Sequence, residues 1–524
     1  MSASVRQRGR LDAASAAAGL AWMELPGPEV DDPSRALLEQ GIGGVVLFGA
    51  SIRGIDQLRR LTAELRKHAA GPLRIAIDHE GGHVTRIGAP VTRFPSAMAV
   101  AATGSEELAY AVARAAGEEL TALGIDVNLA PVLDLAGDPR NPTLGARTFG
   151  SSPELVARLG AATVRGYRDA GIAATAKHFP GHGRTPVDSH LAVSTVGGGI
   201  EALRQADLPP FRAAVAAGVD IVMASHVVYD GLTDGLPATV SARILRELLR
   251  DELRFEGLLV TDAMVMRALA DRRPIAAACL EAVVAGADAV MPMREHQAEA
   301  VRGLQAAIES GALTEARVLE ALGRAARLED RLTALPPSPS PRVLPDPSHL
   351  ELAGTVARRS LTLLRGSELL PLAPSTSVAV IEFASRRPSP VEEAATAPTV
   401  AAALTGYLPR MREIVISGAD DAAGRHAAID AVAGVELVIL ATRDAYLWDE
   451  ERELVSRIAA GDRPTLLVAL RNPYDLARLA PTTGAIAAYA DVPATLEALA
   501  EALTGRAGWP GRLPVDLPDR GLAA

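Results

Sequence analysis

The feature that most constrains the fold is a series of short apolar runs that alternate with helical patterns. Eight runs are candidate strands, at residues 20–23, 44–48, 73–78, 126–130, 172–176, 220–224, 257–261 and 287–291. Amphipathic stretches such as EELAYAVARAAGEELTALG lie between most of them. An open doubly wound sheet rarely needs eight β/α units in a row, whereas a (β/α)8 barrel needs eight. The pattern therefore predicts an α/β fold with an N-terminal TIM-type barrel over residues 1–334.

A run of proline and serine, LPPSPSPRVLPDP, follows the last of these units at residues 335–347. It has neither a helical nor a strand period, so it favours an extended linker. Beyond it, the runs SVAVIEF, EIVISG, ELVILAT, TLLVAL and GAIAAYA indicate buried parallel strands separated by helices. We predict a smaller C-terminal α/β sandwich domain over residues 348–524.

Charge and cysteine content narrow the possible partners and location. The net charge of -10 argues against binding to nucleic acid or to an anionic membrane surface. Cys279 is the only cysteine, so no intrachain disulfide can form, and its Ala-rich surroundings favour burial. Because the sequence has neither a long apolar run nor a good leader-peptide pattern, we expect a cytoplasmic protein.

Polar side chains lie at the ends of several predicted strands. They are Asp78 at the third strand, Arg147 after the fourth, Lys177 and His178 at the fifth, Ser225 and His226 at the sixth, and Asp262 at the seventh. In a barrel these ends share the face that carries active sites. Taken singly, Asp262 could cap a helix and His226 could be a core histidine. Their joint placement favours one pocket.

Two arginines, Arg86 and Arg147, add forked donors to this predicted pocket. Either could be a solvated surface charge. Aromatic residues make up only 3% of the chain, so a pocket with two guanidinium groups suits a hydroxyl-rich or anionic ligand.

The segment AATAKHFPGHGRTPVDSH, at residues 173–190, concentrates polar groups around a turn rich in proline and glycine. Such a turn indicates a strand that opens into a loop. Asp188 and His190 are spaced by two, so in an extended segment the carboxylate could orient the imidazole for proton transfer. For an isolated pair, however, a turn-forming aspartate and a surface histidine are the commoner explanation.

The same segment could also hold a metal, since His178, His182, Asp188 and His190 are good ligand types. No H-E-x-x-H motif occurs in the sequence, and no H-x-H lies on the first strand. We therefore predict neither a metal nor any other cofactor.

Several of these motifs together resemble glycoside hydrolase family 3. They are KHFPGHGRTPVDSH, IDHEGGHVTRI at residues 77–87, NLAPVLDL at 128–135, GARTFG at 145–150, MASHVVYD and GLLVTDAM. The pattern is similar to the β-N-acetylglucosaminidase branch of the family. The resemblance covers residues 19–327, while ARRSLTLLRGSELLPL and GWPGRLPVDLP resemble the family's C-terminal sandwich domain.

This resemblance implies a role for each matching residue. Asp262 would be the nucleophile, and His190 the acid/base with Asp188 as its partner. Substrate binding would fall to Asp78, Arg86, Arg147, Lys177 and His178, and Ser225 and His226 join this set by their place at the sixth strand. His79 and His83 depart from the residues that the family often carries there, at the pocket rim.

The implied reaction is hydrolysis with retention of configuration. A carboxylate traps the sugar as an ester while an acid protonates the departing oxygen, and two inversions cancel. His190 suits the acid/base role because histidine titrates close to neutral pH. The expected substrate is a small or peptidoglycan-derived saccharide that loses a terminal N-acetylglucosamine, or a glucose.

Three alternatives stay open from the residues alone. Phosphate could replace water as the acceptor, since a neutral histidine repels a dianion less than a carboxylate does. Arg184 in the same loop could attract phosphate or could simply be solvated. A catalytically silent sugar-binding protein and a metallohydrolase are the other two.

Overall fold

Two sheets organise the part of the chain that the structure, a computed structural model, describes. The described residues are 6–7, 10–141, 143–185, 193–271, 273–334, 344–386, 389, 398–418 and 420–517. One sheet has eight strands and the other has six.

The eight-stranded sheet is parallel, and its strands are adjacent in chain order. They are β1 (Trp22–Glu24), β2 (Gly44–Leu47), β3 (Arg74–Ile77), β4 (Val127–Asn128), β5 (Ala173–Phe179), β6 (Ile221–Ala224), β7 (Leu258–Ala263) and β8 (Ala289–Met291). A parallel bridge between Ala21 and Val290 connects the first edge to the last. The predicted eight-stranded barrel is therefore confirmed.

Helices follow most of these strands and surround the barrel. They are Ala13–Gly19, Asp32–Gln40, Ile55–His68, Ala97–Ala102, Glu106–Thr121, Pro153–Asp169, Gly199–Ala202, Leu208–Ala216, Arg267–Ala270, Ile275–Ala285, Gln297–Ser310 and Glu315–Ala334, with π-helical turns at Leu203–Asp207 and Arg243–Glu252. Side-chain caps fix several N-termini, as where the Ser105 hydroxyl accepts the Leu108 amide at 3.2 Å.

Strand residues alternate between two cores, as a pleated barrel requires. Val46 packs inside the barrel, whereas Val45 and Leu47 pack between the sheet and the helices. The interior also holds Trp22, whose ring leaves no room for a side chain at Gly44, where a Cβ would lie 2.6 Å from it. The barrel is thus a filled core and not a pore.

Two strands extend further than the apolar pattern indicated. β5 continues through Lys177 and His178 to Phe179, and β7 continues through Asp262 to Ala263. Parallel pairing of β5 with β6 reaches Phe179 and Ala224, which carries the ladder past the apolar run. The predicted site residues of these strands therefore lie within strands, at points where the register shifts: between Ala176 and Phe179 in β5, and between Val260 and Ala263 in β7.

The amino-terminal end of the barrel carries three carboxylates in equivalent positions, of which Asp220 and Asp288 are buried and Asp126 is partly exposed. Asp126, Asp220 and Asp288 directly precede β4, β6 and β8, and each accepts a backbone amide of the preceding strand, at 2.9, 3.3 and 2.9 Å. Each also binds arginines from the helices or their flanks, as Asp220 binds Arg168 and Arg331 at 2.7 and 2.6 Å. These contacts tie alternate strands to the helix layer.

The six-stranded sheet lies in the second half of the chain. Its strands are β9 (Thr362–Arg365), β10 (Val378–Phe383), β11 (Met411–Ile416), β12 (Leu437–Thr442), β13 (Thr465–Ala469) and β14 (Gly484–Ala487), in the order β9-β14-β13-β12-β10-β11. Five strands are parallel, as predicted, and β9 adds an antiparallel edge that the sequence did not indicate. The accompanying helices are Pro347–Ser360, Val400–Leu404, Ala422–Val432, Asp449–Ala459, Asp475–Arg478 and Pro493–Leu503.

The two halves share a hydrophobic core. Met98, Ala99 and Ala146 of the barrel half belong to the same buried cluster as Phe383 and Tyr446 of the second half. Hydrogen bonds and an ion pair reinforce this contact, from the Ser96 hydroxyl to the Tyr489 carbonyl at 2.7 Å and from His349 to Glu119 at 2.9 Å.

The predictions for the linker, for Cys279 and for the location of the protein have different outcomes. Most of the predicted linker, residues 335–343, lies outside the described residues, and the domain boundaries stay a prediction. Cys279 is buried as expected, and burial raises the pKa of its thiol to about 12. Within the described ranges, no helix is both long and apolar enough to cross a membrane, and the cytoplasmic location stays a prediction.

Candidate active site

A network of alternating charges lies at the carboxyl-terminal end of the barrel. The Lys177 ammonium donates to Asp78 and contacts Glu80, both at 2.7 Å. Arg147 binds both carboxylate oxygens of Glu80, at 2.7 and 2.8 Å, and Arg86 lies 3.5 Å from Asp78. Three cations and two carboxylates thus interlock where β3 and β5 end.

These groups stay charged although they are almost fully buried. Burial alone would raise the pKa of Asp78 and Glu80, but Lys177 with Arg86 outweighs it at Asp78, and Arg147 with Lys177 outweighs it at Glu80, so both pKa values are lowered. Burial would lower the pKa of Lys177, but Asp78 and Glu80 raise it. The network therefore presents fixed, ionised donors and acceptors, which suits the recognition of sugar hydroxyls.

A third carboxylate, Asp134, orients the turn that follows β5. Its oxygens accept the backbone amides of His178 at 3.2 Å and His182 at 2.6 Å, and the His178 Nδ1 at 2.6 Å. Asp134 is 1% exposed, and the pKa of its carboxyl is lowered because the contact with His178 outweighs burial. This contact makes Nδ1 the protonated nitrogen and fixes the direction of the His178 ring.

Asp262 lies at the end of β7, where burial along the strand begins to decrease. Its Oδ1 accepts the amide of Ala263 at 2.7 Å. His226 of the adjacent strand end contacts the Ala263 carbonyl through Nε2 at 3.0 Å and the Thr239 hydroxyl through Nδ1 at 2.7 Å. His226 and Ser225 are both fully buried. The contacts of His226 give it a supporting place beside the Asp262 strand end, and the predicted contact of both residues with substrate stays untested.

Asp188 and His190 lie outside the described residues, as the chain between 186 and 192 does. The described base of their loop is held by Arg184, which binds Asp207 at 2.6 Å and the Gly197 carbonyl at 3.2 Å. Burial raises the pKa of Asp207 to about 6. Because Arg184 is engaged in this ion pair, its charge is partly neutralised and gives no support to a phosphate site.

Sequence reasoning missed Glu80 and Asp134. Both stand inside the quoted motifs IDHEGGHVTRI and NLAPVLDL, yet neither was given a role. A signal was present for Glu80, since it is spaced by two from Asp78 and so lies on the same side of an extended segment. No comparable signal marks Asp134, because its partners lie more than 40 residues away.

No group of three histidine, cysteine, aspartate or glutamate side chains among the described residues could hold a metal ion. Since Asp188 and His190 lie outside the described residues, the metal alternative is left to experiment.

A comparison with family models decides the ancestry of this barrel. The model for the glycosyl hydrolase family 3 N-terminal domain matches residues 20–328, which span all eight barrel strands. The chain belongs to glycosyl hydrolase family 3. The predicted family is confirmed, and the protein is a glycoside hydrolase.

Curated relatives match this family 3 hydrolase over different shares of the chain. A protein named beta-N-acetylglucosaminidase/beta-glucosidase from Cellulomonas fimi is 31% identical over 91% of this chain and 88% of its own length. Beta-hexosaminidase A from Pseudoalteromonas piscicida is 34% identical over 66% of this chain, which spans 63% of that relative.

A solved structure covers nearly the whole chain. The family 3 beta-N-acetylglucosaminidase from Paenibacillus sp. str. FPU-7 is 36% identical, with a TM-score of 0.92, and the match covers 97% of this chain and 99% of that one. The barrel and the second sheet of this family 3 hydrolase thus recur together in a single known architecture.

Proposed function

We propose that this glycoside hydrolase is a retaining, exo-acting β-N-acetylglucosaminidase. The observation that carries the proposal is the ionised network of Asp78, Glu80, Lys177 and Arg147 at the barrel end where Asp262 also lies. The names of the relatives from Cellulomonas fimi, Pseudoalteromonas piscicida and Paenibacillus support this sugar. The Cellulomonas name also covers glucosides, so glucose is the second sugar to test.

The proposed reaction has two steps. Asp262 attacks the anomeric carbon while His190 protonates the departing oxygen, which leaves a glycosyl ester on Asp262. His190, oriented by Asp188, then deprotonates water, which cleaves the ester and regenerates the carboxylate. The sugar is released with its original configuration because the anomeric carbon is inverted twice.

The described residues support the binding half of this proposal. Arg147 and Lys177 form ion pairs with carboxylates that hold them in place, so the donors need no reorganisation when a sugar binds. His178 is oriented by Asp134 in the same way. We assign Asp78, Arg86, Arg147, Lys177 and His178 to contact with the sugar, and Glu80 and Asp134 to holding them.

Labelling with a fluorinated mechanism-based N-acetylglucosaminide tests the proposal directly. The wild-type enzyme should release the chromophore of a 4-nitrophenyl N-acetyl-β-glucosaminide, and the fluoro sugar should accumulate as an ester on Asp262, detected by peptide mass spectrometry. A label on another residue would refute the role of Asp262, and no turnover at all would favour a silent sugar-binding protein.

The acceptor and the need for metal are tested with the same assay. We propose water as the acceptor and a short, peptidoglycan-derived saccharide as the substrate, which would place the enzyme in cytoplasmic peptidoglycan recycling. A phosphate titration that raises turnover and yields sugar 1-phosphate would instead indicate a phosphorylase. Full activity after chelation is expected, and loss of activity with loss of stoichiometric zinc would indicate a metallohydrolase.

A further inference from the structure

The loop that carries Arg147, which we call the Arg147 loop (residues 145–151), is held from both ends by the second half of the chain. At one end, the Ala146 amide donates to Oδ1 of Asn472 at 2.5 Å. At the other end, the Ser151 amide donates to the Pro514 carbonyl at 3.0 Å. Residues more than 300 positions away thus supply two of its backbone contacts, in addition to those within the barrel half, such as the Ala136 amide to the Gly150 carbonyl at 2.8 Å.

Two contacts set the position of Asn472. Its side-chain oxygen accepts from the Ala146 amide, and its backbone amide donates to the carboxylate of Asp444 at 3.3 Å. Asn472 is 4% exposed and Asp444 is 3% exposed. Position 472 therefore requires an acceptor that faces the Ala146 amide, and a carboxylate there would add a second negative charge close to Asp444.

The fit between Asn472 and the loop leaves no spare room. Gly145 has a φ of +42°, and a Cβ there would collide with the Asn472 amide group. Ala146 is fully buried in the core that the two halves share. A shift of Asn472 must therefore be transmitted to the loop backbone, since close-packed interiors leave few voids to absorb it.

Arg147 directly follows this anchored residue. Its guanidinium binds Glu80 through two nitrogens and the Thr143 carbonyl at 2.9 Å, and Glu80 in turn binds Lys177. We propose that Asn472 is a positioning residue for substrate binding, which sets Arg147, and through Glu80 also Lys177, from the second half of the chain. This inference rests on the proposed function, because Arg147 is assigned there to the sugar.

The test compares Asn472→Ala with a matched variant, His349→Ala. Both changes truncate a buried side chain that joins the two halves, but His349 contacts Glu119 and not the Arg147 loop. KM and kcat are measured with 4-nitrophenyl N-acetyl-β-glucosaminide, and thermal unfolding is followed in parallel. We expect Asn472→Ala to raise KM about tenfold with a much smaller change in kcat, since binding is lost uniformly. His349→Ala should lower the unfolding temperature and leave KM unchanged.

Two further variants distinguish a positioning role of Asn472 from a general loss of folding. Asn472→Asp places a second carboxylate close to Asp444 and should also raise KM. The double variant Asn472→Asp with Asp444→Asn removes this added charge and keeps an acceptor at both positions, and asparagine tolerates the positive φ of 60° at position 444. KM should therefore return towards the wild-type value.

Three results would overturn the inference. They are an unchanged KM in Asn472→Ala, an equal rise of KM in His349→Ala, and a folded double variant whose KM stays raised. Each differs from a failure of the proposed function, which would show as a wild-type enzyme without turnover and would remove the inference with it.

Discussion

The two ends of the barrel both carry buried carboxylates, but they balance burial and charge in opposite ways. At the amino-terminal end, burial dominates and raises the pKa of Asp126 and Asp220 despite their arginine partners. At the carboxyl-terminal end, the neighbouring groups outweigh burial and lower the pKa values: lysine and arginine at Asp78 and Glu80, and the contact with His178 at Asp134. One end ties strands to helices, and the other keeps charges ionised where we propose that the sugar binds.

This difference separates residues whose loss should affect stability from those whose loss should affect activity. The amino-terminal carboxylates each bind a backbone amide of a neighbouring strand. The carboxylates of the site network bind instead the side chains Lys177 and Arg147. In TIM barrels the amino-terminal face typically serves stability and the carboxyl-terminal face catalysis. Four variants test whether that division holds here.

The largest effect is expected for Asp262→Asn, which removes the proposed nucleophile. Turnover should fall roughly ten-thousand-fold, while the free energy of unfolding should stay within about 0.5 kcal/mol of wild type, because Asp262 is partly exposed at a strand end. Steady-state kinetics and denaturant unfolding measure the two quantities. A large loss of stability would show that Asp262 is instead a structural carboxylate.

The second-largest effect is expected for His190→Ala, which removes the proposed general acid. For a substrate with a poor leaving group, loss of the general acid should lower kcat/KM by about 10² to 10⁴-fold. The loss should be much smaller for an activated phenol, which departs without protonation. Rates across a series of aryl glycosides of graded leaving-group pKa provide the measurement, and equal losses across the series would contradict the role of His190.

Glu80→Gln should lower both activity and stability, because it removes the carboxylate that holds Arg147 and Lys177. We expect kcat/KM to fall about a hundredfold from misplaced donors, and the free energy of unfolding to fall by about 3 kcal/mol, since two buried cations lose a partner.

Asp220→Asn is the matched variant at the amino-terminal end of the barrel. It should cost about 1–3 kcal/mol of stability and leave kcat/KM close to wild type. A large loss of activity in Asp220→Asn would break the division between the two ends.

The smallest effect is a difference in pH dependence between these two variants. The pKa of Glu80 is lowered on folding, so its contribution to stability is present above the unfolded pKa, near 4.3, and is lost as the pH falls. The pKa of Asp220 is raised, so its contribution is present at low pH and is lost as the pH rises through the folded value. The stability difference from wild type should therefore grow with pH for Glu80→Gln and shrink for Asp220→Asn. Thermal unfolding between pH 3 and pH 7 measures both, and parallel slopes would contradict the comparison.

Much of the fold was predictable because the barrel strands are apolar and regularly spaced. All eight predicted barrel strands overlap the observed ones. The ends of β5 and β7 were not predicted, since Lys177, His178 and Asp262 are polar residues held in strand conformation by pairing with neighbouring strands. The antiparallel β9 was missed because its four residues directly follow a helix.

The site was predictable where residues stand at strand ends, and unpredictable where contacts join distant segments. Glu80 could have been assigned from its spacing to Asp78. Asp134 and Asn472 could not, because their partners become neighbours only after folding, Asn472 being 326 positions from Ala146. Periodicity places strands, but it carries no information about which loops meet.

The contact between Ser151 and the segment around Pro514 can form only late in synthesis of the chain. Asp516, which donates its amide to the Ser151 hydroxyl, is separated from it by 365 positions. At roughly 5–20 residues per second, a ribosome needs about 20 to 70 seconds to cross that interval. During this time a barrel that has already emerged lacks the contacts that hold its Arg147 loop. The nascent enzyme should therefore acquire substrate affinity later than it acquires its first sheet.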